Sequence, residues 1–171
     1  MKIYIASDHA GFKLKEELVP FVKGLDFRHE VFDLGPVEYN ENDDYPDFIA
    51  PVAEAVASGE GLEPVERRMG IIIGGSGQGE AMTANRFKGV RAAVFYGEHM
   101  PIQYIDMTMK ESHDPYEIVK LSRAHNDANI LSIGARFVSS AESKMAVKLF
   151  LETSFTGEER HLRRIKKIEV K

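Results

Sequence analysis

The sequence predicts an α/β fold in which one parallel sheet carries helices on both faces. Two observations predict it. Short runs rich in β-branched residues recur at KIYIA (2–6), HEVFDL (29–34), MGIIIGG (69–75), VRAAVF (90–95) and NILSIG (129–134), and a segment with helical spacing follows each. The length, 171 residues at 43% hydrophobic, suits a single domain, and the polar stretches 35–44 and 59–68 are expected to be ordinary connections.

The elements follow in order. After the first strand, Phe12, Leu14, Leu18, Phe21, Val22 and Leu25 fall at helical spacing, and Pro20, which lacks a donor N–H, is expected to bend that helix. A second helix should start near Pro46, a favoured first-turn residue, and run through Val52, Ala53, Val56 and Ala57 to Gly59. The third strand, with Ile71, Ile72 and Ile73 and no polar alternation, reads as a central strand covered on both sides. A helix begins near Pro115, and Ser139-x-x-Glu142 is a capping box opening another with Met145, Ala146, Leu149 and Phe150 inward. Residues 157–171 read as a basic last helix.

Composition excludes several functions. The net charge of −5 argues against nucleic acid or an anionic membrane as partner, and no run reaches the 18 or more apolar residues of a membrane span. With no cysteine there is no disulfide, Cys–zinc site or thiol nucleophile, and a cytoplasmic location is expected. The C-terminal residues 157–171 carry a local +3 on a remainder of −8. In a helix, Arg160, Arg163, Arg164 and Lys167 share a face, which is either plain solvated surface or a phosphate clamp of guanidinium forks.

The third strand runs into Gly74-Gly75-Ser76-Gly77-Gln78-Gly79-Glu80, ahead of a helix. Glycines there let backbone N–H groups form an anion nest. A P-loop needs Lys and Ser/Thr where Glu80 and Ala81 stand; the dinucleotide fingerprint fails at Glu80; the nucleophile elbow fails at Gln78. What remains is a nest with a carboxylate at its lip. Glu80 is either a first-turn acid answering the helix dipole or a base beside donors that hold an enolate oxygen. Asp8-His9, His125-Asn126-Asp127 and Arg136 stand at the ends of other elements, each a plain loop residue or part of a site.

The stretches SDHAGFKLKE, DYPDFIAPVAEAV, GIIIGGSGQGEAMTANRFKGVRAAV, LSRAHNDANILSIGAR and GEERHLRRI, taken jointly, resemble the ribose-5-phosphate isomerase type B / galactose-6-phosphate isomerase family. The resemblance implies a three-layer α/β/α Rossmann-like domain with a five-stranded parallel sheet, and a homodimer or dimer of dimers sharing its active sites. It implies a metal-free, cofactor-free aldose–ketose isomerase of a sugar phosphate, most simply ribose 5-phosphate to ribulose 5-phosphate, working through an enediolate. One branch of that family uses a cysteine at the position of Gly74, the other a glutamate at the position of Glu80, so the glutamate branch is implied. Asp8 and His125 match ring-opening residues, and Ser76 with the N–H groups around Gly75, Gly77 and Gly79 matches the hole for the reacting oxygens. Arg136, Arg160, Arg164 and His9 match phosphate contacts, and Asn126 and Tyr45 match sugar contacts. Residues 96–114 stand as an insertion in the single domain 1–171, either a roof on the pocket or dimer contact, or a surface excursion. A different pentose or hexose phosphate, or a regulatory protein that binds a sugar phosphate without turning it over, are the alternatives.

Overall fold

A computed structural model describes residues 1–26, 28–59 and 66–169. Five parallel strands, β1 (Lys2–Ser7), β2 (Glu30–Asp33), β3 (Arg68–Gly74), β4 (Ala92–Phe95) and β5 (Ile130–Gly134), form one sheet in the order β2-β1-β3-β5-β4. β3 is central, and Ile71, Ile72 and Ile73 are fully buried, as a strand covered on both faces requires.

Helices α1 (Phe12–Leu25), α2 (Tyr45–Ala57), α3 (Gln78–Ala84), α4 (Glu117–Ala124), α5 (Ser140–Glu152) and α6 (Glu159–Ile168) complete the fold. One core layer joins Leu18 and Val22 of α1, Val119 of α4 and Ala146, Val147 and Phe150 of α5 to Ile3, Ile5, Ile71 and Ile133. The opposite layer joins Ile49, Val52, Ala53 and Val56 of α2 and Ala84 of α3 to Ala6, Ile72 and Ile130. α6 runs past the sheet's N-terminal edge, where Glu169 accepts from the Gly89 N–H (3.1 Å) and pairs with Arg91 (3.2 Å).

Several expectations are corrected. α1 continues through Pro20, which is exposed, so the proline does not end the helix. The capping box at Ser139 and Glu142 is present, but the α5 stripe is Ala146, Val147 and Phe150, with Leu149 at its margin. Met145 is exposed, because α5 packs through both the i and i+1 rows against α1 and α4. Stretch 59–68 is in part outside the described residues, as is the end of the predicted last helix beyond residue 169. Residues 96–114 contain no helix or strand; the His99 N–H donates to Pro115 O at 2.8 Å, pinning the base of the excursion, and Met100, Ile102, Tyr104, Met107 and Met109 are exposed.

Candidate active site

In an open parallel sheet the crevice lies at the strands' carboxyl ends, where successive connections leave to opposite sides. Here that point falls between β1 and β3. β1 delivers Asp8 and His9, β3 delivers the glycine loop, and β5 delivers Arg136.

Glu80 sits in the first turn of α3 and is nevertheless only 4% exposed. Its carboxylate fills the space beside Gly74: a Cβ on residue 74 would lie 1.7 Å from Glu80 Oε1 and 2.1 Å from Cδ. The absence of a side chain at 74 is therefore what admits the carboxylate. Gly77, the N-cap of α3, takes φ 72°, a left-handed conformation that lets the chain reverse from β3 into the helix; the Ser132 hydroxyl donates to its carbonyl at 2.6 Å. Burial, with a smaller push from the Asp8 carboxylate, raises the Glu80 pKa above its ordinary 4.5, while the residue's own backbone N–H opposes the shift.

Asp8 is 6% exposed and accepts from the Gly11 N–H at 3.1 Å, and its own N–H donates to Ile73 O at 3.3 Å, tying the β1 and β3 ends together. The Arg136 guanidinium lies over Gly75, within 3.1 Å of where a Cβ would stand, and the Tyr45 ring covers Gly79 in the same way at 2.6 Å. Ser76 is exposed at the tip of the loop, its hydroxyl accepting from the Gln78 N–H at 3.3 Å. His9 is half-buried and bonded through Nδ1 to Asp43 at 2.7 Å. The ligand-type atoms of Asp8, His9 and Asp43 all lie within 4.8 Å of one another. His9 Nδ1 is already bonded to Asp43 and both acids already accept protein N–H groups, so the cluster is built as an ion-paired wall and not as a metal site.

Asp8, His9, Tyr45, Gly75, Ser76, Gly77, Gly79, Glu80 and Arg136 thus gather at one pole. His125, Asn126, Arg160 and Arg164 do not join them. His125 caps the C-terminus of α4, ahead of β5, and so lies at the strands' amino ends, roughly 16 Å away across a five-residue strand. There its ring stacks on His161 (centroids 4.3 Å apart, planes at 14°). His161 is 3% exposed, and burial first, then neighbouring His125 and Arg160, hold its pKa below 6.5. Arg160 pairs with Glu158 at 2.8 Å, whereas Arg164 is exposed. Asp127, in a left-handed turn at φ 45°, fixes this corner by accepting from Arg67, Arg91 and Arg123.

Two residues escaped the sequence reading. Asp43 lies in the stretch 35–44, which is more than the connection expected, because it brings a carboxylate to His9; four acids within that stretch hid which one matters. His161 sits between the arginines of GEERHLRRI, and only the tertiary stack marks it.

A buried carboxylate against a glycine loop, with a histidine and an arginine at the switch point of a parallel sheet, is an arrangement suited to acid–base chemistry on an anionic substrate. The family model described as Ribose/Galactose Isomerase matches residues 3–105 and 110–168, and the chain belongs to that family. The ribose-5-phosphate isomerase B of Mycolicibacterium paratuberculosis is 34% identical over 166 residues, covering 96% of this chain and 87% of that one. A crystal structure of ribose-5-phosphate isomerase B from Mycoplasma genitalium with bound ribulose-5-phosphate superposes with a TM-score of 0.80 at 36% identity, covering 98% and 93% of the two chains. The Clostridium thermocellum ribose-5-phosphate isomerase B gives 0.78 at 39% identity, covering 99% and 95%. The break in the family match, residues 106–109, falls inside the 96–114 excursion.

Proposed function

We propose that this chain interconverts ribose 5-phosphate and ribulose 5-phosphate with Glu80 as the proton-transfer base. The observation that carries the assignment is the Glu80 carboxylate buried in the space that Gly74 leaves, beside the loop amides. The sugar ring opens with help from Asp8 and His125. Glu80 then takes the C2 proton of the aldose while loop donors near Gly75, Gly77 and Gly79 hold the oxygens of the enediolate. Ser76 moves a proton between the two oxygens, and Glu80 returns its proton to C1, so no atom is gained or lost. Asn126 and Tyr45 contact the sugar. The phosphate engages His9, Arg136, Arg160 and Arg164, and its binding energy fixes the reacting carbons against the base.

Because His125, Asn126, Arg160 and Arg164 stand at the amino ends of the strands, opposite the Glu80 pole, one chain does not enclose one substrate. The working unit in this reading is a homodimer, or a dimer of dimers, in which the His125 corner of one subunit completes the Glu80 pole of the other. The site is expected to work without metal or cofactor, in the cytoplasm.

The test is turnover in deuterated water. Wild type should introduce deuterium at the reacting carbon, and Glu80→Gln should abolish both exchange and turnover while still binding a phosphosugar. Full activity in Glu80→Gln would refute the base assignment. Pentose and hexose phosphates run side by side decide the sugar.

A further inference from the structure

We propose that Asp43 is a positioning residue that fixes the His9 ring with Nε2 free for the substrate phosphate. This rests on the reading above that His9 and Arg136 form the phosphate end of the site.

One oxygen of Asp43 accepts twice from the same residue, from the His9 backbone N–H at 3.1 Å and from Nδ1 at 2.7 Å. An ionised carboxylate only accepts, so Nδ1 carries a proton and Nε2 is the nitrogen left for a ligand. The backbone bond fixes where His9 starts and the side-chain bond fixes how its ring turns, so the two together leave little rotamer freedom. The Asp43 side chain is only 6% exposed, and its second oxygen, Oδ2, is buried without a hydrogen-bond partner among the described residues. A carboxylate so placed has His9 as its principal compensation, which favours the doubly protonated ring. Tyr39 presents its edge-on ring 6.5 Å from His9 and 6.2 Å from Phe12, walling the imidazole on that side.

The charged groups facing His9 come from three elements: Asp8 after β1, Asp43 before α2 and Arg136 after β5. Hydrogen bonding to Asp43 dominates and raises the His9 pKa above 6.5; Asp8 adds to it, while burial and Arg136 oppose it. An imidazolium donating from Nε2 makes a charge-assisted bond to a phosphate oxygen, stronger than one from neutral imidazole. Asp43 acts through His9 without touching the substrate.

The experiment follows the His9 ring by carbon–proton NMR through a pH titration, with its resonance identified from His9→Asn, alongside inorganic phosphate binding and steady-state kinetics. Wild-type His9 should titrate above 6.5, and Asp43→Asn, which keeps shape and loses charge, should lower it. In Asp43→Asn, phosphate affinity should fall about tenfold, the size of one charged hydrogen bond, with the KM for ribose 5-phosphate rising alike and kcat falling less. In a His9→Asn background, adding Asp43→Asn should change neither. A wild-type His9 titrating at or below 6.5 overturns the proposal without any variant, as does an equal loss of affinity in both backgrounds. If no phosphosugar is turned over but His9 titrates high and Asp43→Asn weakens phosphate, the isomerase reading fails and this one stands. If turnover is normal and Asp43→Asn binds phosphate like wild type, this one fails alone.

Discussion

Gly74→Ala is the smallest change that tests how the site is built. The added Cβ would stand 1.7 Å from Glu80 Oε1, 2.1 Å from Cδ and 2.7 Å from Oε2, whereas real contacts of this kind essentially never fall below 3.0 Å. Oε1 must therefore retreat by at least about 1.3 Å. The backbone is held against giving instead, because residue 74 closes β3 in register with Gly134 at the end of β5 and its carbonyl accepts from the Ala135 N–H at 2.8 Å. Misplacing a reacting group by about 1 Å costs on the order of 100-fold in rate, or about 2.7 kcal/mol of barrier. Isomerisation of ribose 5-phosphate by Gly74→Ala should accordingly show kcat reduced about 100-fold or more, with deuterium exchange lost in parallel. The overpacking should also cost about 1–3 kcal/mol of stability, read from denaturant unfolding. Gly74→Ala with Glu80→Ala should recover that stability but no activity, since the clash and the base leave together. A Gly74→Ala enzyme with kcat within about threefold of wild type would refute the claim that Glu80 works from this position.

Other consequences follow from the same geometry. The folded-state pKa of Glu80 is raised, so whatever it contributes to stability is present below the unfolded value and lost as pH rises through the folded one. Glu80→Gln should therefore melt higher than wild type near neutral pH, with the gap closing as pH falls toward 4.5; a gap that widens on acidification contradicts the burial argument. If Glu80 is the base it must be ionised to act, so the acid limb of kcat/KM, which reports the free enzyme, should lie above 4.5, again because burial raises that group. Co-refolding inactive Glu80→Gln with inactive His125→Asn in equal amounts should restore about a quarter of wild-type activity, half the dimers being mixed and each holding one intact site. No recovery would mean that each site belongs to one chain. Arg123, 1% exposed, donates to Ala128 O and Thr153 O as well as to Asp127, which keeps Arg67 and Arg91, so Arg123→Ala should lose about 3 kcal/mol in chemical unfolding by stranding the two carbonyls.

How far the residues announce this arrangement varies with how local the cause is. The β3 run of three isoleucines and the Ser139 capping box were legible because periodicity and capping act over a few residues. Met145 was misread because helical spacing marks a stripe without saying which neighbour it meets, and α5 turned Val147 to the core in its place. Asp43 carries no local signal, since its value lies in reaching His9 across 34 positions of chain.

By itself the sequence determined the parallel α/β class, the glycine loop with Glu80 at its end, and the basic stretch at the C-terminus, because hydrophobic period, glycine and charge are written residue by residue. Only the tertiary structure decided that β3 lies between β1 and β5, that the Glu80 carboxylate occupies the space of a missing side chain at 74, and that the Asp8 and His125 groups stand at opposite ends of the strands of one sheet. Those are facts of packing and strand order, which depend on distances between residues far apart in the chain and have no counterpart in spacing along it.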